Sequence, residues 1–318
     1  MRFYLVLFAL ALTAPFFTGS LSTAGVVLVF AIAAAACNLL LGYAGILSFA
    51  QGSFFGLGSY AVGILLTTWP GLGLLALPLC VLGGALLALC IGLLSTRQKG
   101  IYSVMITLAM AQLVFFAALS FPEWTGGENG LLDVPRPTLG LGRWLNDTQE
   151  HYLLVAVLFV VALAVLDRMT RSPFGRVLDA VRDNETRAEV VGFHVPVVKL
   201  QAFCLSGGIT ALAGALYALQ LRSAPLSSID LMTSESILIM SILGGRRSML
   251  GAAFGALAMI LMGEMLSPIW PRWQMVVGAV LIGMVLFAPD GLAGLWQRLS
   301  ARRRTAPDRP SHMQQEAP

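Results

Sequence analysis

The residues able to do chemistry in this chain are few, and their spacing points to docking and hydrogen bonding rather than to bond-making. Ser172-Pro173 reads as a helix start, a hydroxyl N-cap followed by proline at the first helical position. Phe174, Val177, Leu178 and Val181 follow at i, i+3, i+4 and i+7, one apolar stripe. The opposite face carries Arg176, Asp179, Arg182, Asp183 and Arg187, with Glu185 beside them, Gly192 as a C-terminal stop and Pro196 closing the segment. The pattern predicts a short amphipathic helix with a groove-filling face. Such a helix lies on lipid, folds back on its own bundle or docks into a partner, and its mixed charges argue against a simple anionic-lipid anchor.

Two other clusters carry polar atoms. Ser48, Gln51 and Ser53 sit among Gly42, Gly45, Gly52, Gly56 and Gly58. Their hydroxyls and amide suit the ammonium or carboxylate of a zwitterion, or equally the hydrogen bonds between neighbouring helices. Thr125, Gly126, Gly127, Asn129 and Gly130 form a glycine-rich stretch that shapes an external gate, meets an external protein, or is a turn and nothing more. Glu264, just before Ser267-Pro268, reads as a wet, structural carboxylate near the end of a late apolar run. His151, His194 and His312 are expected in loops or the tail and make no metal trio; Cys37, Cys80, Cys90 and Cys204 read as small core hydrophobes. No Gly-x-Ser-x-Gly, no His-Glu-x-x-His and no paired intramembrane carboxylates occur. The two lysines, Lys99 and Lys199, stand in no Gly-Lys-Ser/Thr phosphate loop, so no catalytic residue, metal or cofactor is expected in this chain.

The elements that must position these clusters follow from composition. The 318 residues are 57% apolar and 11% charged, with mean hydropathy +0.81. Soluble domains carry about 25% charged residues. A cytosolic enzyme, a nucleic-acid binder and a disordered chain are thereby excluded. Phe3 to Thr96, 94 residues, holds no Asp, Glu, Lys or Arg. At about 20 residues per crossing this stretch alone accommodates about four spans. The apolar runs are continuous rather than alternating, so the spans are helices.

The expected fold is an all-α polytopic membrane protein with about ten transmembrane helices. They fall near 3–17, 24–41, 50–67, 73–95, 101–120, 152–167, 199–220, 231–243, 249–266 and 273–289, and the first is expected to be retained rather than cleaved. Arginines crowd 168–199 and the tail, whereas 121–151 is mainly acidic. The positive-inside rule places 121–151 outside, and 168–198 and both termini in the cytoplasm; it also accounts for the +4 net charge without an anionic partner. Residues 1–297 make one membrane domain and 298–318 a basic, disordered tail. Breaking 231–266 at Gly244-Gly245-Arg246-Arg247 keeps the tail inside. Two halves of five spans would then run inverted, each with a glycine-broken third span; such positions mark a substrate path near the midplane, or simply let helices pack closely.

Several stretches together resemble one family. Ser172-Pro173-Phe174-Gly175-Arg176, then Ala180-Val181-Arg182-Asp183-Asn184-Glu185 and Ala188-Glu189-Val190-Val191-Gly192, resembles the coupling loop of ABC importer permeases, nearest the LivM-type permeases for branched-chain amino acids. Asn38 to Gly45, Leu47-Ser48, Gly52 and Phe54 to Tyr60 look like that family's early glycine-rich signature. Gly100-Ile101-Tyr102 with Thr107-Leu108-Ala109, Thr125 to Gly130, Leu243-Gly244-Gly245 with Gly251, and Pro289-Asp290-Gly291-Leu292 follow in the family's order, covering 38–295. Gln51, Gly52 and Arg246-Arg247 depart from the usual pattern, which leaves urea, short amides and other amino acids as alternative substrates.

The resemblance implies an ATP-driven importer. This chain and a second related permease would form the path, with Gly45, Ser48, Gln51, Gly52, Gly56, Gly244 and Gly245 along it. Two cytoplasmic ATP-binding subunits would hold ATP and magnesium and dock on Ser172 to Arg176, Arg182, Asp183, Glu185 and Gly192. A periplasmic binding protein would deliver substrate at Thr125 to Gly130, in the bacterial inner membrane. An ion-coupled secondary transporter, a membrane-embedded enzyme and a purely structural subunit are the rival classes; the bundle lacks an acid relay and a visible nucleophile.

Overall fold

The computed structural model describes residues 19–98, 100–137, 147–245 and 248–287, with Pro15, Gly291 and Gly294. The expected first span, Lys99, Arg246-Arg247, Pro289-Asp290 and the tail lie outside the described residues. The described chain is helical: α1 (Leu21–Asn38), α2 (Gln51–Thr68), α3 (Ala76–Ser95), α4 (Ile101–Ser120), α5 (Asp147–Arg171), α6 (Pro173–Asp183), α7 (Glu185–Val190), α8 (Val195–Leu221), α9 (Leu231–Gly244), α10 (Met249–Leu266) and α11 (Trp273–Phe287). Short turns of helix stand at Pro122–Thr125 and Gly127–Asn129.

Six helical stretches are long and apolar enough to cross a membrane: Leu21–Ala44, Pro70–Ser95, Ile101–Ser120, Asp147–Arg171, Val195–Leu221 and Met249–Leu266. Helix α2 matches the expected 50–67 span in place, but Gln51, Ser53, Ser59 and its glycines lower its hydropathy. At 14 and 15 residues, α9 and α11 are short for a full crossing.

Helices α1 and α8 form the centre. The apolar window of α1 is 83% buried and that of α8 78%, against 11% for α4, which is peripheral. The outward faces of α3 and α4 carry Leu82, Leu86, Met105, Leu113 and Phe116, all well exposed, as a lipid-facing surface would. Lipid is as apolar as leucine, so helices in this medium associate through close approach and hydrogen bonds. A Cβ at Gly58 would overlap the Ala211 carbonyl, and one at Gly214 would overlap that of Phe55, so the α2 and α8 backbones touch. Phe30 stacks on Phe55, and Tyr217 meets Phe30 edge-on and Phe55 at a tilt, with centroids 5.2–5.6 Å apart.

Three sequence expectations change. Helix α2 is unbroken across its four glycines, because they admit neighbouring backbone instead of ending the helix; the irregular stretch precedes it, at 45–50. His151 is not in a loop: α5 begins at Asp147 and buries it. The expected single loop helix is two, because Asn184 leaves helical geometry and its side chain caps α7, accepting from the Arg187 N–H at 2.9 Å. The break after Gly244-Gly245 stands, with Gly245 at φ 106 and α10 capped by Ser248.

Candidate functional site

Two irregular segments meet inside the bundle. The first begins where α1 ends. A π-helical turn, Leu39–Ala44, extends α1, and Gly45 at φ 70 stops it, with Ile46 N–H bonding back to the Leu40 carbonyl at 2.9 Å. Residues 45–50 then run without regular structure to Gln51. Gln51 Nε2 donates to Ser206 Oγ at 3.1 Å, and Thr210 Oγ1 donates to Gln51 Oε1 at 2.8 Å. Ser206 and Thr210 are the twelfth and sixteenth of the 27 residues of α8, so α2 begins level with the middle of a spanning helix. Ser206 Oγ in turn donates to the Ala36 carbonyl at 2.8 Å, tying α1, α2 and α8 together.

The second segment follows α8. Arg222, at φ 56, ends that helix, and residues 222–230 lead down to α9. There Gly52 N–H donates to Ser234 Oγ at 2.8 Å, and a Cβ on Gly52 would stand 2.8 Å from the Asp230 carbonyl. Gly56 lies against Ile229 so closely that any side chain would overlap it. Helix α9 therefore starts beside the N-terminus of α2, at the level of mid-α8, and runs toward the end of α1, where Asn38 Nδ2 donates to the Gly245 and Ser248 carbonyls at 3.3 and 2.9 Å. Non-helical backbone at such depth persists only inside protein or along an aqueous cavity.

Each segment is held by a loop from its own side. On the side of α6, the Arg182 guanidinium donates to the Gly42 carbonyl, and its Cγ occupies the space a Cβ on Gly45 would need, 2.9 Å away. Arg182 thus points inward, a correction to its expected place on the outer charged face. The apolar stripe is inward as read: Leu178 and Val181 are buried, with Phe174 and Val177 packed beside them. Ser172 does not cap α6, since its hydroxyl donates to the Met169 carbonyl at 2.6 Å. Gly175 is required because a Cβ there would overlap the Thr170 carbonyl in the tight turn from α5. Glu185 pairs with Lys199 at 2.6 Å, which pins the loop to the first turns of α8. Arg176, Asp183, Arg187 and Gly192 stay exposed. So do Val190, Val191 and Phe193, an apolar tip that the sequence marks only as two valines after a polar turn.

On the opposite side, Thr125 Oγ1 donates to the Ala118 and Phe121 carbonyls at 2.7 and 2.9 Å, closing the end of α4. Gly126 and Gly127 adopt φ 76 and 63 in the turn that follows. Gly130, at φ 70, presses on the Ala224 carbonyl, and Leu131 and Ala224 exchange backbone bonds of 3.0 and 2.8 Å. Arg136 donates to the Leu219 and Gln220 carbonyls at 2.8 Å each, capping α8, and pairs with Asp147 at 3.1 Å. Asn129 is exposed. The sequence pattern contained no sign of Arg136 and Arg222 as partners of α8 and α5, because their contacts join residues about 80 apart.

The remaining singled-out residues sort readily. Ser48 is buried and its Oγ accepts from Ala50 N–H at 3.3 Å, while Phe49 N–H donates to Thr107 Oγ1 of α4 at 3.3 Å. Ser53 is buried in the first turn of α2. Gly244 and Gly251 face one another with no room for a side chain, which closes the α9–α10 hairpin. Glu264 is exposed and accepts from Thr23 Oγ1 at 3.1 Å. Among the described residues no three His, Cys, Asp or Glu could hold a metal.

The family described as branched-chain amino acid transport system, permease component, matches residues 19–286. The high-affinity branched-chain amino acid transport system permease protein LivM of Salmonella typhimurium is 28% identical over 315 residues, 91% of this chain and 74% of that protein. A probable LivM of Methanocaldococcus jannaschii is 23% identical over 73% of this chain and 72% of its own. The autoinducer 2 import system permease LsrC of Salmonella paratyphi B is 30% identical over 40% of this chain and 39% of its own. No solved structure matches.

Proposed function

The chain belongs to the branched-chain amino acid transport permease family, and from that premise we propose that it forms one wall of an ATP-driven importer's path for branched-chain or related hydrophobic amino acids. A second related permease would complete the path. Two cytoplasmic ATPases, carrying ATP and magnesium, would dock on α6 and α7, and a periplasmic binding protein would deliver substrate to the inner membrane. The observation that carries this reading is the Arg182–Gly42 bond: the loop expected to receive the ATPase grips the segment leading to the middle of the bundle.

Exposed Arg176, Asp183, Arg187 and Glu189, with the apolar tip Val190, Val191 and Phe193, offer the kind of mixed surface an ATPase groove would take. Movement of α6 would pull on 42–50 through Arg182 and so displace Ser48 and the start of α2. The order helix, irregular segment, helix recurs in α1–α2 and α8–α9. We read it as two halves of opposite orientation, with α3 and α4 answering to α10 and α11. Glycine at 45, 52, 56, 244 and 245 would let the two halves approach and shift.

Likeness to LsrC over part of the chain supports a second reading, the same architecture carrying another small solute. Co-expression with the neighbouring genes, purification in mild detergent and reconstitution test both. Co-purifying ATPase, stimulated by binding protein and coupled to leucine uptake, is the expected result. Uptake driven by an ion gradient from the chain alone would overturn the importer, and a stimulated ATPase that moves no amino acid would favour the second reading.

A further inference from the structure

Helix α9 carries an acidic residue that the importer reading leaves without a task. Glu235 lies in the second turn of an apolar 14-residue helix, next to Ser234, whose hydroxyl receives the Gly52 N–H. This places the carboxylate at the level where α2 and α9 begin, well inside the bundle. It is half-buried, and it enters no ion pair or hydrogen bond among the described residues. Three acidic groups elsewhere on the helices differ: Glu264 accepts from Thr23, Asp167 pairs with Arg171 at 2.8 Å, and Asp147 pairs with Arg136 and Arg222; Glu150, buried in the first turn of α5, shares the lack of an ion pair but stands at a helix end. No Lys or Arg lies on α2, α3, α4, α9, α10 or α11 to balance it.

The face of α9 that bears Glu235 also bears Met232, the most exposed residue of the helix, although Leu231, Thr233 and Ser236 are half-buried too. Ser234, Ile237, Leu238, Met240 and Ser241 are buried, whereas Met232 is 64% exposed and Ile239 and Ile242 half-buried along with Glu235. The helices packed against α9 beside α1, α2 and α10 are α11 and α4, the latter the least buried of the six spans. A lipid-facing carboxylate would be costly, so this face borders water or a cationic group.

We infer that Glu235 is a binding residue for the substrate's ammonium group, the fixed negative charge of the path. The inference rests on the amino-acid importer reading and names the side of the bundle, the open face of α9 between α4 and α11, on which the substrate passes. An α-ammonium carries three N–H donors and one positive charge, which the Glu235 carboxylate matches, while the apolar Met232, Ile239 and Ile242 beside it suit a branched aliphatic side chain.

The test uses the reconstituted complex of the full chain with its permease partner, ATPases and binding protein, with radiolabelled leucine as probe. Glu235→Gln is expected to lower uptake per assembled complex by about tenfold or more while binding-protein-stimulated ATP hydrolysis stays within about twofold. Glu235→Asp, which keeps the charge on a shorter arm, is expected to fall between. Uptake by Glu235→Gln at more than half the wild-type rate overturns the assignment, as does equal loss in Glu235→Asp, which would point to packing. A variant that does not assemble is replaced by a measurement on wild type: carbodiimide modification of Glu235, followed by mass spectrometry, is expected to slow in nucleotide-trapped complex loaded with leucine. Unchanged modification overturns the assignment. A wild-type complex that hydrolyses ATP but moves no amino acid refutes the importer's substrate class itself, before any variant is compared.

Discussion

The irregular segments 45–50 and 222–230 have similar form but are fastened by different chemistry. Segment 222–230 is stitched mainly by backbone: Leu131 and Ala224 bond reciprocally and Val134 N–H reaches the Arg222 carbonyl at 2.9 Å, with the Arg136 side chain capping the last carbonyls of α8 beside them. Segment 45–50 is held to α6 by one side chain, Arg182 on Gly42, with Glu185–Lys199 anchoring the loop behind it. Hydrogen bonds contribute about 0.5–1.5 kcal/mol each, and those to charged groups about 1.5–3. Several backbone bonds make a clamp that depends little on any one side chain, whereas one charged arm makes a link that can be released and remade. The contrast suits the proposed importer, in which segment 222–230 would stay fixed while segment 45–50 would follow the ATPases.

The strongest way to break this contrast is to damage the clamp where only glycine fits. Gly130→Val puts a β-branched side chain at φ 70 and into the Ala224 carbonyl, so monodisperse protein in size-exclusion chromatography is expected to fall by about tenfold. Normal yield would mean the clamp is dispensable. Arg182→Ala comes next: uptake per complex should drop about tenfold with ATP hydrolysis retained, and the melting temperature should move by no more than about 2–4 °C per kcal/mol lost. Parallel loss of stability and uptake would make Arg182 a second clamp and erase the distinction.

Arg136→Ala sharpens the comparison from the other side. Losing two carbonyl bonds and an ion pair should lower the melting temperature by several degrees, at about 1 kcal/mol per bond, while uptake per assembled complex stays within about twofold. A coupling defect there would show that segment 222–230 moves too. The smallest effect belongs to Asp147→Asn, whose carboxylate is exposed even though it meets Arg136 as well as Arg222; surface pairs contribute about 0–1 kcal/mol and are screened, so the variant should approach wild type at high salt.

Much of this was legible before any fold. The helix starting at Pro173 and its inward stripe followed from a 3.6-residue period in water-facing sequence, where polar and apolar faces differ. The Gly244-Gly245 break followed from charge placement. Arg182 turning inward was not legible, because its period places it with the exposed charges and only the Gly42 carbonyl, 140 residues away, gives it a partner. The same holds for Gln51, whose amide is satisfied by Ser206 and Thr210 in the core, where a path residue and an interhelical bolt share one residue type. Glu235 escaped notice as a polar residue in a short apolar run; the signal was a lone acid flanked by serines in a segment without cations.

Sequence by itself determined that this chain is a helical membrane protein, where its amphipathic loop helix begins, and that Gly244-Gly245 breaks the late apolar run. Hydropathy settles those points because water and hydrocarbon differ so sharply in what they tolerate. It does not separate the core from the lipid-facing surface, since both are apolar. Only the tertiary structure decided that α1 and α8 are central, that α2 and α9 begin side by side at mid-depth, and that one arginine joins loop to segment, because close backbone approach and hydrogen bonds between distant residues leave no period in the chain.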